Sequence, residues 1–148
     1  MRLPLDNVWS LLDLLRQQRD LLLELREIDY ADFLQNLERQ YAVKHALLLA
    51  IQITLDICAH LIAIAGRGVP DEYRQLPLAL AKMGVISDSL AERLALAAGF
   101  RNRLVHAYRD VALEMVYEFL FEDLGDFDEF LQDVSKFLER MSRNQEEG

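Results

Sequence analysis

Four side chains with complementary chemistry, Arg101, Asn102, His106 and Tyr108, fall within eight residues of one another. Histidine takes up and releases protons near neutral pH, because its unperturbed pKa is about 6.5. Arginine presents a planar fork of donors that can hold a phosphate through paired hydrogen bonds. These residue types therefore indicate proton transfer at a phosphate group.

The stretch reads as part of one helix, and helical geometry separates its two strongest candidates. At about 100° per residue, Asn102 and His106 share a face, as do Arg101 and Tyr108. Arg101 and His106 point roughly 140° apart, so on a straight helix they meet one phosphate only if the long arginine wraps around. The spacing therefore predicts a site that another helix or another copy of the chain completes.

An ordinary interpretation of the same stretch is a helix end that carries surface arginines. The helix dipole favours a histidine near a C-terminus, whatever the function of the protein. On spacing alone, this ordinary interpretation is the better one.

The order Arg-Asn-x3-His-x-Tyr resembles the motif of the HEPN superfamily, and specifically of HepT-type toxins, over residues 5 to 138. This resemblance favours a functional site at the stretch over the interpretation as an ordinary helix end. It implies an all-α HEPN-type helical bundle that forms a homodimer, with paired Arg-x4-His motifs making an RNase site that needs no metal or cofactor. It also implies an MNT nucleotidyltransferase antitoxin as partner, which transfers AMP to the tyrosine matching Tyr108.

RNA carries its own nucleophile, since the 2′-hydroxyl can attack the adjacent phosphorus once a base removes its proton. We expect His106 to be that base and, in the partner subunit, the acid for the leaving 5′-oxygen. Arg101 would hold the phosphate, while Asn102 would orient His106 or donate to a phosphate oxygen. Arg103 is the candidate contact to the RNA backbone.

A different class of function remains open beside this one. The chain would then be a non-catalytic HEPN module that binds a nucleotidyltransferase and keeps the motif only for dimer packing. The two hypotheses differ on whether His106 is needed for chemistry or for assembly.

Composition predicts one helical domain. A chain of 148 residues with 52% hydrophobic content can build one core, and we expect this domain over residues 1–142, with a flexible polar tail at 143–148. Only six glycines and three prolines are present, which favours helix. The net charge of −9 argues against a general nucleic-acid binder, so any RNA contact must be local. Cys58, alone in an apolar run, fits a reducing cytoplasm.

Hydrophobic periodicity places the helices at approximately 5–27, 33–34, 38–65, 71–82, 88–108, 111–121 and 127–141. We expect Asp29, Gly66, Gly84 and Ser87 to mark helix ends, and Pro77 to bend or split its helix. The most apolar window, at 46–65, has the length of a membrane span, but its polar row favours the core helix of a soluble bundle.

That polar row is Gln52, Asp56 and His60, spaced four residues apart. The simpler interpretation is a half-buried hydrogen-bonded row in which Asp56 satisfies His60. The sharper one is a second layer of polar groups that faces the motif helix and supports the site. Two potential ligands without a third make a metal site improbable.

A run of acidic residues follows the motif. From Asp110 to Ser135, counting Asp110 itself, there are nine acidic residues and no Lys or Arg, downstream of an arginine-rich strip. Such a run is usually a solvated face, but it would also repel RNA and could dock a basic partner.

Overall fold

The fold is built entirely from helices in the parts of the chain that the computed structural model describes, residues 5–106 and 112–147. The helices in these two ranges are α1 (Asp6–Leu25), α2 (Tyr30–Gln35), α3 (Leu37–Ile64), α4 (Gln75–Lys82), α5 (Asp88–Val105), α6 (Leu113–Glu122) and α7 (Leu124–Glu147). The predicted all-α bundle is confirmed.

Helix α3 is the central helix, because apolar residues cover nearly its whole circumference. Helix α1 packs along it, and α4, α5 and α7 also contact it. Its length and composition would suit a membrane span, yet 56% of its most apolar window is buried inside the bundle, as in the core helix of a soluble protein. Cys58 is fully buried on this helix, and burial raises the pKa of its thiol, as expected for an inert core cysteine.

Several helix ends lie where the sequence predicts them. The Ser87 hydroxyl accepts a hydrogen bond from the backbone N–H of Leu90 at 3.0 Å and caps α5. Gly66 and Gly84 follow α3 and α4 with φ of 75° and 79°, the left-handed conformation that glycine adopts without strain. Asp29 is the N-cap residue of α2, although its side chain makes no capping hydrogen bond.

The predicted disruption at Pro77 is wrong. Helix α4 begins at Gln75, so Pro77 lies in its first turn and is buried. The first backbone N–H groups of a helix have no partner within it, so a proline there removes nothing. Residues 71–74 consequently form bends and turns that approach α5, and not the start of a bent helix.

Two further boundaries differ from the predictions. The motif helix ends at Val105 and not at Tyr108 as predicted, because His106 has left helical geometry, with φ −103° and ψ 32°. Residues 107–111, which include Tyr108, lie outside the described residues. Helix α7 begins at buried Leu124 and continues to Glu147, past the domain boundary expected at residue 142.

Part of the acidic run is used within the chain. Arg93 on α5 pairs with Asp126 and, at 2.9 Å, with Glu129 on α7. Arg19 on α1 pairs with Asp128, which also lies on α7. These pairs connect both neighbouring helices to α7, so the acidic run is only partly a free solvated face.

Asp123 provides a test of this charge distribution. It is the C-cap residue of α6, where a negative charge opposes the helix dipole. Burial, followed by the charges of Asp126, Glu122 and Glu118, raises the pKa of its carboxyl. An acid whose folded pKa is raised destabilises the fold when it is ionised. This penalty shrinks as pH falls through the folded pKa and is gone below the unfolded pKa.

We therefore expect Asp123→Asn to raise the free energy of unfolding at pH 7 by about 0.5 kcal/mol, the size of a charge–dipole effect. The difference from wild type should shrink in acid, as measured by urea denaturation at both pH values. Asp88→Asn is the matched control, because Asp88 lies in the first turn of α5 and its loss should destabilise. A less stable Asp123→Asn protein at pH 7 would contradict this account.

Candidate functional site

The Arg101 side chain is held by groups from three parts of the fold. Its Nε donates to Oε1 of Gln52 on α3 at 2.5 Å. Its guanidinium carbon lies 4.4 Å from the ring centroid of Tyr73, in the segment before α4. Its Nη1 donates to Oδ1 of Asn102 at 3.1 Å. We call Gln52, Tyr73 and Asn102 the Arg101 cradle.

A second polar group stands behind the cradle. Nε2 of Gln52 donates to Oδ1 of Asp56 at 2.8 Å, and both side chains are half-buried on α3. The polar row therefore faces the motif helix at Gln52, as the sharper interpretation proposes. Within the described residues, Asp56 is bonded to Gln52 and not to His60, which is exposed. The expected hydrogen bond between Asp56 and His60 is wrong, because the side chain of His60 is exposed to solvent.

The segment before α4 also contacts α5 at Gly99. An ideal Cβ placed on Gly99 would lie 2.6 Å from Nη2 of Arg74, closer than a real Cβ approaches its neighbours. Gly99 therefore permits the close approach of the Arg74 side chain to α5. Sequence reasoning missed Tyr73 and Arg74, and the glycine at position 99, within an otherwise regular helix, was a signal for Arg74 alone.

His106 lies directly after the last residue of α5 and is exposed. Its backbone N–H donates to the carbonyl of Arg103 at 3.1 Å, which closes the helix. Asn102 is exposed too, and its recorded partner among the described residues is Arg101. His106 is thus presented to solvent at a helix end, while the Arg101 side chain reaches back to α3.

Arg103 is exposed on α5, with Nη1 3.8 Å from the sulfur of Met115 on α6. It lies two residues beyond Arg101, so helical geometry turns it about 200° away. The structure therefore brings Arg101 and Asn102 together, leaves Arg103 and His106 outside the cradle, and does not describe Tyr108.

The arrangement combines a held cation with an exposed imidazole. A guanidinium has five N–H donors, and the hydrogen bonds to Gln52 and Asn102 use one on Nε and one on Nη1. The other donors can take an anion such as a phosphate in the bidentate manner of arginine. The imidazole of His106 can exchange protons with a group bound nearby.

Comparisons with known proteins identify the family of the chain. Residues 14–134 match the family model described as "Ribonuclease HepT-like". The chain is 26% identical to a tRNA nuclease HepT from Aphanizomenon flos-aquae, over 86% of each protein. It is 30% identical to an mRNA nuclease HepT from Shewanella oneidensis, over 73% of this chain and 80% of that one.

Solved structures share the fold. A tri-AMPylated HEPN toxin of Shewanella oneidensis in complex with an MNT antitoxin superposes with a TM-score of 0.81 at 23% identity, covering 88% of this chain and 98% of that one. A cytosolic protein of unknown function from Bacillus subtilis gives a TM-score of 0.80 at 18% identity, covering 94% and 93%. Because the family model matches residues 14–134, most of the chain, this chain belongs to the HepT-like ribonuclease family.

Proposed function

We propose that this protein is the toxin of a toxin–antitoxin pair and acts as a metal-independent endoribonuclease in the cytoplasm. The observation that carries the proposal is the held Arg101 guanidinium together with an exposed His106 five residues later, at the end of the same helix. Relatives named as nucleases of tRNA and of mRNA support it. Because those two names differ in the RNA, the substrate class proposed here is RNA in general.

In the proposed reaction, His106 of one copy takes the proton from a 2′-hydroxyl. The 2′-oxygen forms a bond to the adjacent phosphorus, and the bond from phosphorus to the 5′-oxygen breaks. His106 of the second copy gives a proton to that leaving oxygen. The products are a 2′,3′-cyclic phosphate and a 5′-hydroxyl, while Arg101 stabilises the charge on the non-bridging oxygens.

Two copies are proposed because no contact among the described residues joins Arg101 to His106 within one chain. The Arg101 side chain contacts α3, whereas His106 is exposed past the end of α5. Leu96, Gly99 and Arg103 recur at helical spacing along the side of α5 that leads towards His106, and Leu96 is 74% exposed. An exposed leucine on the His106 side favours this side of α5 as the contact between copies.

The proposed partner is an MNT nucleotidyltransferase, which would silence the toxin by transferring AMP to Tyr108. The fold-related toxin that was solved with an MNT antitoxin is itself AMPylated. Tyr108 lies two residues after His106, so a phosphodiester added there would carry negative charge beside the motif. That charge would occupy a nearby arginine and repel incoming RNA.

Purified protein should cleave RNA in the presence of a chelator and leave ends that carry a 2′,3′-cyclic phosphate. DNA should stay intact because it lacks the attacking hydroxyl. His106→Ala should reduce turnover by about 100-fold or more, the usual contribution of a general acid or base. Arg101→Ala should do the same through lost charge stabilisation. Gel electrophoresis of a labelled oligonucleotide measures the turnover of both variants.

His45→Ala and Arg67→Ala are matched controls, since both side chains are exposed and belong to neither the cradle nor the motif. Each should cleave like wild type. Cleavage that stops with chelator, or a His106→Ala protein that retains full activity, would contradict the mechanism. A His106→Ala protein that no longer dimerises would instead favour the non-catalytic module.

The active species should be a dimer, because each copy supplies one histidine to the shared site. Light scattering at micromolar concentration should give twice the chain mass. Leu96→Glu should shift the protein towards monomer and reduce cleavage together, since it places a charge in the proposed contact. A monomer with undiminished activity would rule out the composite site.

Tyr108→Phe should remain active and toxic, because the hydroxyl has no role in the proposed proton transfers. It should escape silencing when co-expressed with the cognate nucleotidyltransferase, since the AMP acceptor is absent. Peptide mass spectrometry of the co-expressed wild-type toxin should locate AMP on Tyr108. An unmodified Tyr108 in a toxin that is nevertheless silenced would mean that docking alone inhibits.

A further inference from the structure

We infer that Gln52 is a positioning residue for Arg101, and that Asp56 sets the orientation in which Gln52 does so. The inference deepens the proposed function and rests on it, because it assumes that Arg101 holds the scissile phosphate. It adds two residues of α3 and one aromatic residue to the machinery, none of which belongs to the Arg-x4-His sequence.

The chain of hydrogen bonds has a defined direction. A glutamine side chain has one end that donates and one that accepts, whereas a carboxylate offers only acceptors. Asp56 therefore takes the amide nitrogen of Gln52, at 2.8 Å. The carbonyl end is thereby turned towards α5, where it accepts from Nε of Arg101 at 2.5 Å. Asp56 thus excludes the flipped amide, which would place a donor against the Arg101 donor.

Tyr73 restricts the guanidinium in the remaining direction. Its ring lies against the guanidinium, 4.4 Å from centroid to carbon, while Gln52 holds the Nε edge. With Nε bonded to Gln52 and one Nη1 donor bonded to Asn102, the donors of Nη2 and the second donor of Nη1 are left for a phosphate. Arg101 is therefore oriented before RNA binds, and this lowers the entropy lost when the phosphate is engaged.

A comparison within α3 separates positioning from packing. Gln40 is the buried glutamine of this helix, and its amide nitrogen donates to the backbone carbonyls of Phe33 and Leu34. That contact connects α2 to α3 and has a structural purpose. Gln52 is only half-buried, and both of its hydrogen bonds go to charged side chains, one of which is the proposed phosphate-binding arginine.

The first measurement separates kcat from KM for RNA cleavage. Gln52→Leu keeps the approximate volume of the side chain but removes the acceptor, so kcat should fall by about 100-fold, as for a misplaced catalytic group. Asp56→Asn should give a smaller loss, because the amide can then adopt either orientation. Gln18→Leu on α1 and Asp133→Asn on α7 are the matched controls, because both side chains are also half-buried. Each should leave kcat unchanged. The melting temperatures of all four variants show whether the fold is kept.

The second measurement does not depend on activity. Nitrogen-15 relaxation of the Arg101 Nε–H group should report an ordered side chain in wild type and in Gln18→Leu, and a mobile one in Gln52→Leu. An equally ordered Nε–H in Gln52→Leu would overturn the inference. So would a mobile Nε–H with unchanged kcat.

The two proposals can fail separately. Wild-type protein that cleaves no RNA would count against the proposed function. The relaxation comparison then decides by itself whether Gln52 positions Arg101.

Discussion

The hydrogen bond between Arg101 and Gln52 is the interaction on which the site depends. An arginine stays charged at any physiological pH, so a half-buried guanidinium must find acceptors or aromatic faces to replace water. Here α3 supplies the acceptor and Tyr73 supplies the face. Because Gln52 has its other end bonded to Asp56, the position of the cation is set by α3, the best packed helix of the fold.

The rest of the bundle serves to keep those elements in register. Arg93 pairs α5 with α7, and the cap at Ser87 fixes where α5 begins. Gly84 ends α4, the side chain of Arg74 lies against α5 at Gly99, and the neighbouring Tyr73 contacts Arg101. The apolar core packs tightly around α3 and fixes the position of this helix. The polar side chains of Gln52 and Asp56 on the same helix then fix the position of the Arg101 guanidinium.

The sequence could predict the helices and the direction in which the motif residues diverge, since both follow from helical periodicity. It singled out Arg101 and Asn102 as site residues, but it expected Asn102 to act on His106 or on the phosphate, whereas Asn102 accepts a hydrogen bond from Arg101. One of its two interpretations of the polar row placed Gln52 and Asp56 opposite the motif. It could not identify Tyr73, because nothing local distinguishes an aromatic residue in a turn that contacts a distant arginine from one that contacts solvent. Because Pro77 was expected to bend or split a helix over residues 71–82, the turn at residues 71–74 that contains Tyr73 was not predicted. The end of α5 at Val105 was equally invisible, since His106 and Tyr108 continue the helical spacing.

The central claim is that two copies of the motif share one phosphate, and a mixed dimer tests it most directly. A dimer with one wild-type copy and one His106→Ala copy, purified through two different tags, has one histidine for two proton transfers. Its turnover should be at least about 100-fold below wild type, because one transfer is left without a catalyst. Half of the wild-type turnover would mean that each copy cleaves independently, and would contradict the shared site.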